Sequence, residues 1–334
     1  KIWEFEKYKA DTSLRQKMLD GDIDGGCAYC IKREANGVNR REHHSRLFKE
    51  NYESFTANSL DIGHLELRLG NFCNLKCTMC GPYASSQWSA EAKKYQDKFS
   101  KFNIGYLKSD YDWINDIKNK TFIKNALANC ISAYFGGGEP FINPFIDDFI
   151  KQIRPDAELS FSTNGTKLPD STLALLQDRP NLKINISIDG IGSHNDYIRS
   201  GSTWTDIENN VKKLKDKNIK FLFYYILQHT SLYTFRQVYE YCVTNDIELE
   251  IGEIYGGSVD GSGHLTLSGA KQNDVYSFRK WLNTINSPKV KVVDNWLSKY
   301  EYDDKLHHRF KQYFNMLDSV RGTNFVKTFN PSWT

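Results

Sequence analysis

The sequence predicts an α/β protein built on an open, partial (β/α)6 barrel, with a small N-terminal metal-binding segment and C-terminal helices. Three observations predict it. Six short stretches, 64–69, 130–136, 157–163, 182–189, 219–227 and 247–253, are apolar or alternating and rich in β-branched and aromatic residues. Helical patterns separate them, and strand–helix–strand repeats give right-handed crossovers and a parallel sheet. Motifs rich in glycine, cysteine and hydroxyls recur just after these strands, where parallel sheets gather functional groups.

The elements follow in order. A helix is expected over Ser13–Leu19, ending at Gly21. The barrel is expected over 61–256, after an N-terminal segment 1–60 that would continue upstream of Lys1 and before a helical extension 257–334. Between the first two strands, 88–99 reads as the crossover helix, and 111–117 and 122–127 read as extra helical pieces. Asn143-Pro144 opens a helix whose apolar face is Phe145, Phe149, Ile150 and Ile153. Pro169 opens another through Leu173 and Leu176. Thr205 and Glu208 have capping-box spacing ahead of Val211 and Leu214. Leu232 to Cys242 gives a further helix. A glycine-rich loop over 256–263 leads to helices at 274–282 and 304–320, expected on the barrel's open side at the substrate end.

Composition narrows the function. With 334 residues and 40% hydrophobic content the chain can build a large core, and no apolar run is long enough to span a membrane. A net charge of +3 is too mild to argue for nucleic acid. Five of the seven cysteines, Cys27, Cys30, Cys73, Cys77 and Cys80, stand in metal-type spacings rather than a disulfide framework, which points to a reducing cytoplasm.

The chemistry concentrates in Cys73-Asn74-Leu75-Lys76-Cys77-Thr78-Met79-Cys80, directly after the first strand. Three thiolates on one loop suit a [4Fe–4S] cluster with three protein-ligated irons and one open iron. A zinc site completed from elsewhere is the alternative. Gly136-Gly137-Gly138-Glu139-Pro140 follows the second strand and lets the backbone approach a ligand closely. Ser162-Thr163-Asn164-Gly165 follows the third, with hydroxyls and an amide suited to a ribose. Ser187-Ile188-Asp189-Gly190 ends the fourth, with Arg199 nine residues past Gly190. Arg199 has the planar donor fork that pairs with a carboxylate, whereas Asp189 is expected to structure its turn. Gln228 and His229 end the fifth strand, and Glu253 and Tyr255 the sixth. Cys130 and Cys242 read as buried small hydrophobes, and His307 and His308 as a solvated helix face.

Together these motifs resemble the radical S-adenosylmethionine (radical SAM) superfamily. The resemblance implies that Cys73, Cys77 and Cys80 hold the cluster, whose open iron chelates SAM. Reductive cleavage of SAM to methionine and a 5′-deoxyadenosyl radical would follow. It implies that the loop Gly137, Gly138, Glu139 and Pro140 binds the SAM amino group, and that Ser187 and Arg199 hold its carboxylate. Met79 would pack near adenine, where the family often has an aromatic residue. Ser162, Asn164 and Gln228 complete the implied cofactor site.

Gly25-Gly26-Cys27-Ala28-Tyr29-Cys30, with Glu34 and Gly37 beyond, resembles the auxiliary-cluster segment of the SPASM/twitch branch. That implies a second iron–sulfur cluster with further ligands upstream; zinc completed by His43 and His44 is the competing reading. Branch members often act on peptides or proteins, so a peptide substrate is expected, with a flavodoxin or ferredoxin as reductant. A small-molecule or nucleoside substrate in a sealed pocket, a non-catalytic iron–sulfur electron-transfer protein and a zinc-binding interaction module are the other readings.

Overall fold

The computed structural model describes residues 12–22, 62–107, 117–254 and 261–331, with isolated positions between 28 and 56. Six parallel strands form one sheet in sequential order: β1 (His64–Arg68), β2 (Ser132–Gly136), β3 (Glu158–Thr163), β4 (Leu182–Ile188), β5 (Phe221–Leu227) and β6 (Leu249–Glu253). β1 and β6 stay unpaired with each other, so the barrel is open.

Helices fill each crossover. They are α1 (Ser13–Leu19) ahead of the sheet, then α2 (Ser86–Lys94), α3 (Gln96–Phe99), α4 (Ile117–Asn129), α5 (Ile146–Ile150), α6 (Asp170–Leu176), α7 (Ser193–Ile198), α8 (Trp204–Asp216) and α9 (Ser231–Thr244). After β6 come α10 (Gln272–Leu282), α11 (Pro288–Leu297), α12 (Asp304–Arg321) and α13 (Phe325–Phe329). No described helix is long and apolar enough to cross a membrane.

Side chains alternate across a strand, so each face of the sheet has its own composition. The row Leu67, Phe135, Phe161 and Ile184 runs in register across four strands and is wholly buried under the helices. Phe135 stacks on Phe161 with ring centroids 5.2 Å apart. The other face carries the row Glu66, Tyr134, Ser160 and Lys183 and the row Ser187, Tyr224 and Glu250. These residues are half-buried or exposed. A second core gathers Trp88, Phe99, Tyr197, Phe310, Tyr313 and Phe325 between α2, α7, α12 and α13.

Several expectations need correction. The expected 88–99 helix breaks at Tyr95, whose φ of −120° and ψ of 43° separate α2 from α3. Helix α8 starts at Trp204 with Thr203 at the cap, and the Thr203 hydroxyl donates to Asp206; Thr205 is already helical and makes no box with Glu208. The Asn143-Pro144 helix begins at Ile146, because Asn143 Oδ1 accepts from Phe145 N at 3.0 Å and holds a turn there. His307 is not solvated. It shares the inward stripe of α12 with Phe310 and Phe314, is 3% exposed, and donates from Nδ1 to Gly269 O at 2.9 Å. His308 is exposed, as expected. Of the C-terminal helices, α10 packs on α9 through Phe278 and Phe235, and α12 lies over the cysteine loop at the C-terminal end of the sheet. The piece 111–116, the glycine-rich loop up to position 260, and Tyr255 lie outside the described residues.

Candidate active site at the C-terminal end of the sheet

The cysteine loop leaves β1 and is fastened from four directions. Trp88 Nε1 donates to Cys77 O at 2.7 Å, and Ser85 Oγ donates to Leu75 O at 2.5 Å. Lys76 N and Thr78 N donate to Ser200 O and Ile198 O, each at 2.8 Å. Asn164 Nδ2 donates to Asn74 Oδ1 at 2.9 Å, which joins the loop after β3 to the cysteines. From the C-terminal helix, Tyr313 Oη donates to Thr78 O at 2.7 Å. Beneath it, Glu91 bridges Lys76 and Arg321 at 2.6 and 2.8 Å, and those donors hold its carboxyl below its ordinary range against the opposing effect of burial. Cys77, Leu75, Thr78 and Ile198 are buried, so the bonds to their backbone groups also prevent unsatisfied polar groups.

Cys77 is buried, and Cys73 and Cys80 are half-buried. Burial is the first cause that pushes the Cys73 and Cys80 thiols up to about 12, and the proximity of Cys77 is the second. Burial also raises Cys77, against the pull of the Arg199 charge. The loop therefore brings three thiols together that resist ionising as a set. Metal coordination replaces their protons with a cation and relieves that repulsion. No three His, Cys, Asp or Glu side chains among the described residues are set to hold a single metal ion, but three soft sulfur donors on one loop fit the chemistry of the larger iron–sulfur cluster.

The glycine loop after β2 lies directly on the cysteine loop. Glu139 N donates to Phe72 O at 2.8 Å. Gly137 and Gly138 have φ of +74° and +60°; a Cβ on Gly137 would sit 2.8 Å from Arg68 Cβ, and one on Gly138 would overlap Phe72 O. Only glycine permits this approach. The Glu139 carboxyl is 1% exposed and accepts from Thr163 Oγ1 at 2.7 Å, Asn164 N at 2.7 Å and Phe141 N at 3.1 Å. Burial raises it to about 7, opposed by those same donors and by Arg199. Pro140 starts the single 3₁₀ turn that follows, Pro140–Ile142.

Asn164 is buried with its amide fully engaged, since Oδ1 accepts from Thr166 N at 2.9 Å and from Thr166 Oγ1 at 2.7 Å. Ser162 and Ser187 are half-buried on the open face, and Met79 packs partly buried against the second core. Gln228 is 1% exposed and donates to Asp189 Oδ1 at 3.3 Å, while its Oε1 has no partner. Arg199 is 8% exposed; its Nε lies 2.7 Å from Asp189 Oδ2, and its Nη1 lies 4.0 Å from Cys77 Sγ.

The structure thus gathers Cys73, Cys77, Cys80, Gly137, Gly138, Glu139, Asn164, Arg199 and Gln228 around one end of the sheet. It places His229 apart from them, wholly buried and stacked on Phe310 at 3.7 Å. Burial first, then His307 and His264, hold its ring far below the usual pKa, so it stays neutral. Cys130 is buried just before β2, at the far end, and Cys242 is buried in α9. Cys27, Cys30, His43 and His44 lie outside the described residues. Sequence reasoning missed Asn74, Trp88, Glu91, Tyr313 and Arg321. No local pattern marks them, because the C-terminal pair meets its partners from more than two hundred positions away.

An open parallel barrel with three thiols and a glycine cradle at its C-terminal end defines an iron–sulfur enzyme of the SAM-binding type. The family model described as "Radical SAM superfamily" matches residues 67–242, more than half of the chain. The chain belongs to the radical SAM superfamily, whose members use a [4Fe–4S] cluster and SAM. No curated protein matches it. Among solved structures, anSMEcpe with bound AdoMet and Kp18Cys peptide is 19% identical with a TM-score of 0.49, covering 66% of this chain and 59% of that one. Streptococcus suis SuiB bound to precursor peptide SuiA is 14% identical with a TM-score of 0.44, covering 73% and 49%. The chain thus spans about three fifths of the first of these and half of the second.

Proposed function

We propose that this radical SAM enzyme abstracts a hydrogen atom from a peptide or protein as a post-translational modification. The observation that carries the peptide reading is the open face of the sheet. A sealed pocket would suit a small molecule or nucleoside, yet the Arg68 and Glu66 side chains at the β1 edge are 73% and 47% exposed. Lys183 and Glu250, farther across the same face, are 45% and 38% exposed. An extended chain can lie along such a face, where Tyr134, Ser160, Asn185 and Tyr224 offer hydrogen-bonding groups.

Cys73, Cys77 and Cys80 would hold the cluster. When bound, the cluster and SAM supply a one-electron cleavage that delivers a carbon-centred radical. The residues of this chain bind and orient. Gly137 and Gly138 let the loop lie tightly against Arg68 and Phe72, so that its backbone would meet the amino group, and Glu139 and Pro140 keep that loop in place. Ser187 and Arg199 face the carboxylate, while Ser162 and Gln228 provide polar groups for the nucleoside. Met79 covers adenine with a soft apolar side chain. Asn164 acts through the loop it fastens. An auxiliary cluster at Cys27 and Cys30 belongs to the same reading, as does the SPASM/twitch branch, with a flavodoxin or ferredoxin as electron donor.

The test is iron and sulfide content after reconstitution without oxygen, beside a Cys73/Cys77/Cys80→Ala triple variant. About eight irons in the wild type, with about four kept by the variant, support both clusters. About four irons falling to none leave the auxiliary cluster out. SAM turnover that rises with a peptide encoded beside this protein supports the substrate reading; turnover indifferent to every such peptide sinks it.

A further inference from the structure

The pair Asp189–Arg199 is buried where the cysteine loop meets the end of β4. Their side chains are 1% and 9% exposed. Arg199 Nε and Asp189 Oδ2 lie 2.7 Å apart, yet the contact is ionic rather than an aligned hydrogen bond. The guanidinium reaches past the carboxylate, so that its Nη1 lies 4.0 Å from Cys77 Sγ. Asp189 is itself fixed, since its backbone N donates to Asn195 Oδ1 at 3.2 Å and Gln228 Nε2 donates to its Oδ1 at 3.3 Å. Two full charges thus face each other out of water, one of them against a metal-ligating sulfur.

A turn alone does not need this. The Asp189 backbone amide already holds the turn through Asn195, and a buried ion pair is a poor source of stability compared with apolar packing. What the arrangement supplies is a fixed charge pattern. The positive end lies at Cys77, and the negative end stands behind it. Such outer groups set how readily a metal site accepts an electron.

We infer that Asp189 is a positioning residue: it holds Arg199 against Cys77, and the pair sets the reduction potential of the cluster that Cys77 helps to hold. The inference rests on the family and not on the identity of the substrate. It makes a signed prediction. Removing the carboxylate leaves the guanidinium uncompensated, which favours the added electron. Removing the guanidinium leaves the carboxylate, which opposes it.

The experiment is a redox titration of the reconstituted cluster, followed by electron paramagnetic resonance, in wild type, Asp189→Asn, Arg199→Gln and the double variant. Asp189→Asn is expected to move the midpoint to a more positive potential and Arg199→Gln to a more negative one. The double variant leaves neither charge unpaired and is expected to load iron with a midpoint between those of wild type and Arg199→Gln, because the lost positive end was the nearer one. Equal midpoints throughout, or single variants that shift in the same direction, overturn the inference. If the single variants fail to load, the double variant decides. A loaded double variant displaced to a more negative midpoint supports the inference, whereas one at the wild-type midpoint, or one that also fails to load, marks the pair as structural and overturns it.

Discussion

The two faces of the sheet are built from the same strands by alternate residues, yet they differ in almost every property. Leu67, Phe135, Phe161 and Ile184 face the helices and are buried to 4% exposure or less. Their neighbours Glu66, Ser160 and Lys183, one position away, are polar and reached by solvent. On the open face Arg68 pairs with Glu66 at 2.9 Å and Lys183 with Glu250 at 2.8 Å. A two-residue period therefore separates the faces: one packs against the helices, and the other stays polar and open to solvent. A parallel sheet in a closed fold is usually apolar on both faces. The departure here sets the open face apart more clearly than any single residue does.

Substitutions can break or sharpen that contrast. The largest effect is expected on the covered face. Phe161→Ala removes a ring packed between Phe135 and Phe141 and is expected to destabilise the protein by about 3–5 kcal/mol in denaturant unfolding. Lys183→Met, on the open face, should change stability by only about 0.5 kcal/mol, because its ion pair is half-exposed. Comparable losses at both positions would break the contrast.

The next effect lies in pH, at the end of the sheet where the two faces meet the glycine loop. Burial raises the Glu139 carboxyl to about 7 in the folded cluster-free protein, above the ordinary glutamate value of about 4.5. A raised pKa means that the folded state holds its proton more tightly than the unfolded state. Its contribution is therefore fully present below about 4.5 and is lost as pH rises through about 7. Thermal unfolding of cluster-free wild type and Glu139→Gln across that window should show a fall in the wild type that the variant lacks. Parallel profiles would place the ionisation elsewhere. A further effect concerns the clamp. Tyr313→Phe leaves Thr78 O without its buried donor and should cost about 1–3 kcal/mol, with lower iron content after reconstitution. Unchanged loading would show that Trp88 and the Ser200 segment suffice.

Much of this contrast was legible in the sequence. Each of the six strands begins within two residues of its expected start, because period-2 alternation and β-branched runs are local signals. The C-terminal ends followed from topology, and so Gly138, Glu139, Asn164 and Arg199 did come together. Less legible were groups whose meaning depends on distant partners. Pro288–Leu297 was missed as a helix although Pro288 is well suited to a first helical position. His307 looked solvated beside His308, but only the packing of Phe310 and Phe314 shows which side of α12 turns inward. Asp189 read as a turn residue, since nothing local shows that Arg199 lies against it.

The fastening of the cysteine loop by Tyr313 and Arg321 also has a meaning in time. Thr78 and Glu91 emerge from the ribosome more than two hundred residues before the side chains that fix them. Until the far end has been translated, the nascent chain presents three thiols on a strand end whose final lock does not yet exist. At a synthesis rate of roughly 5–20 residues per second, that interval lasts on the order of ten seconds or more. Iron delivered during it would meet a half-made cradle. The fully locked loop thus forms only after the residues around Tyr313 and Arg321 have been made.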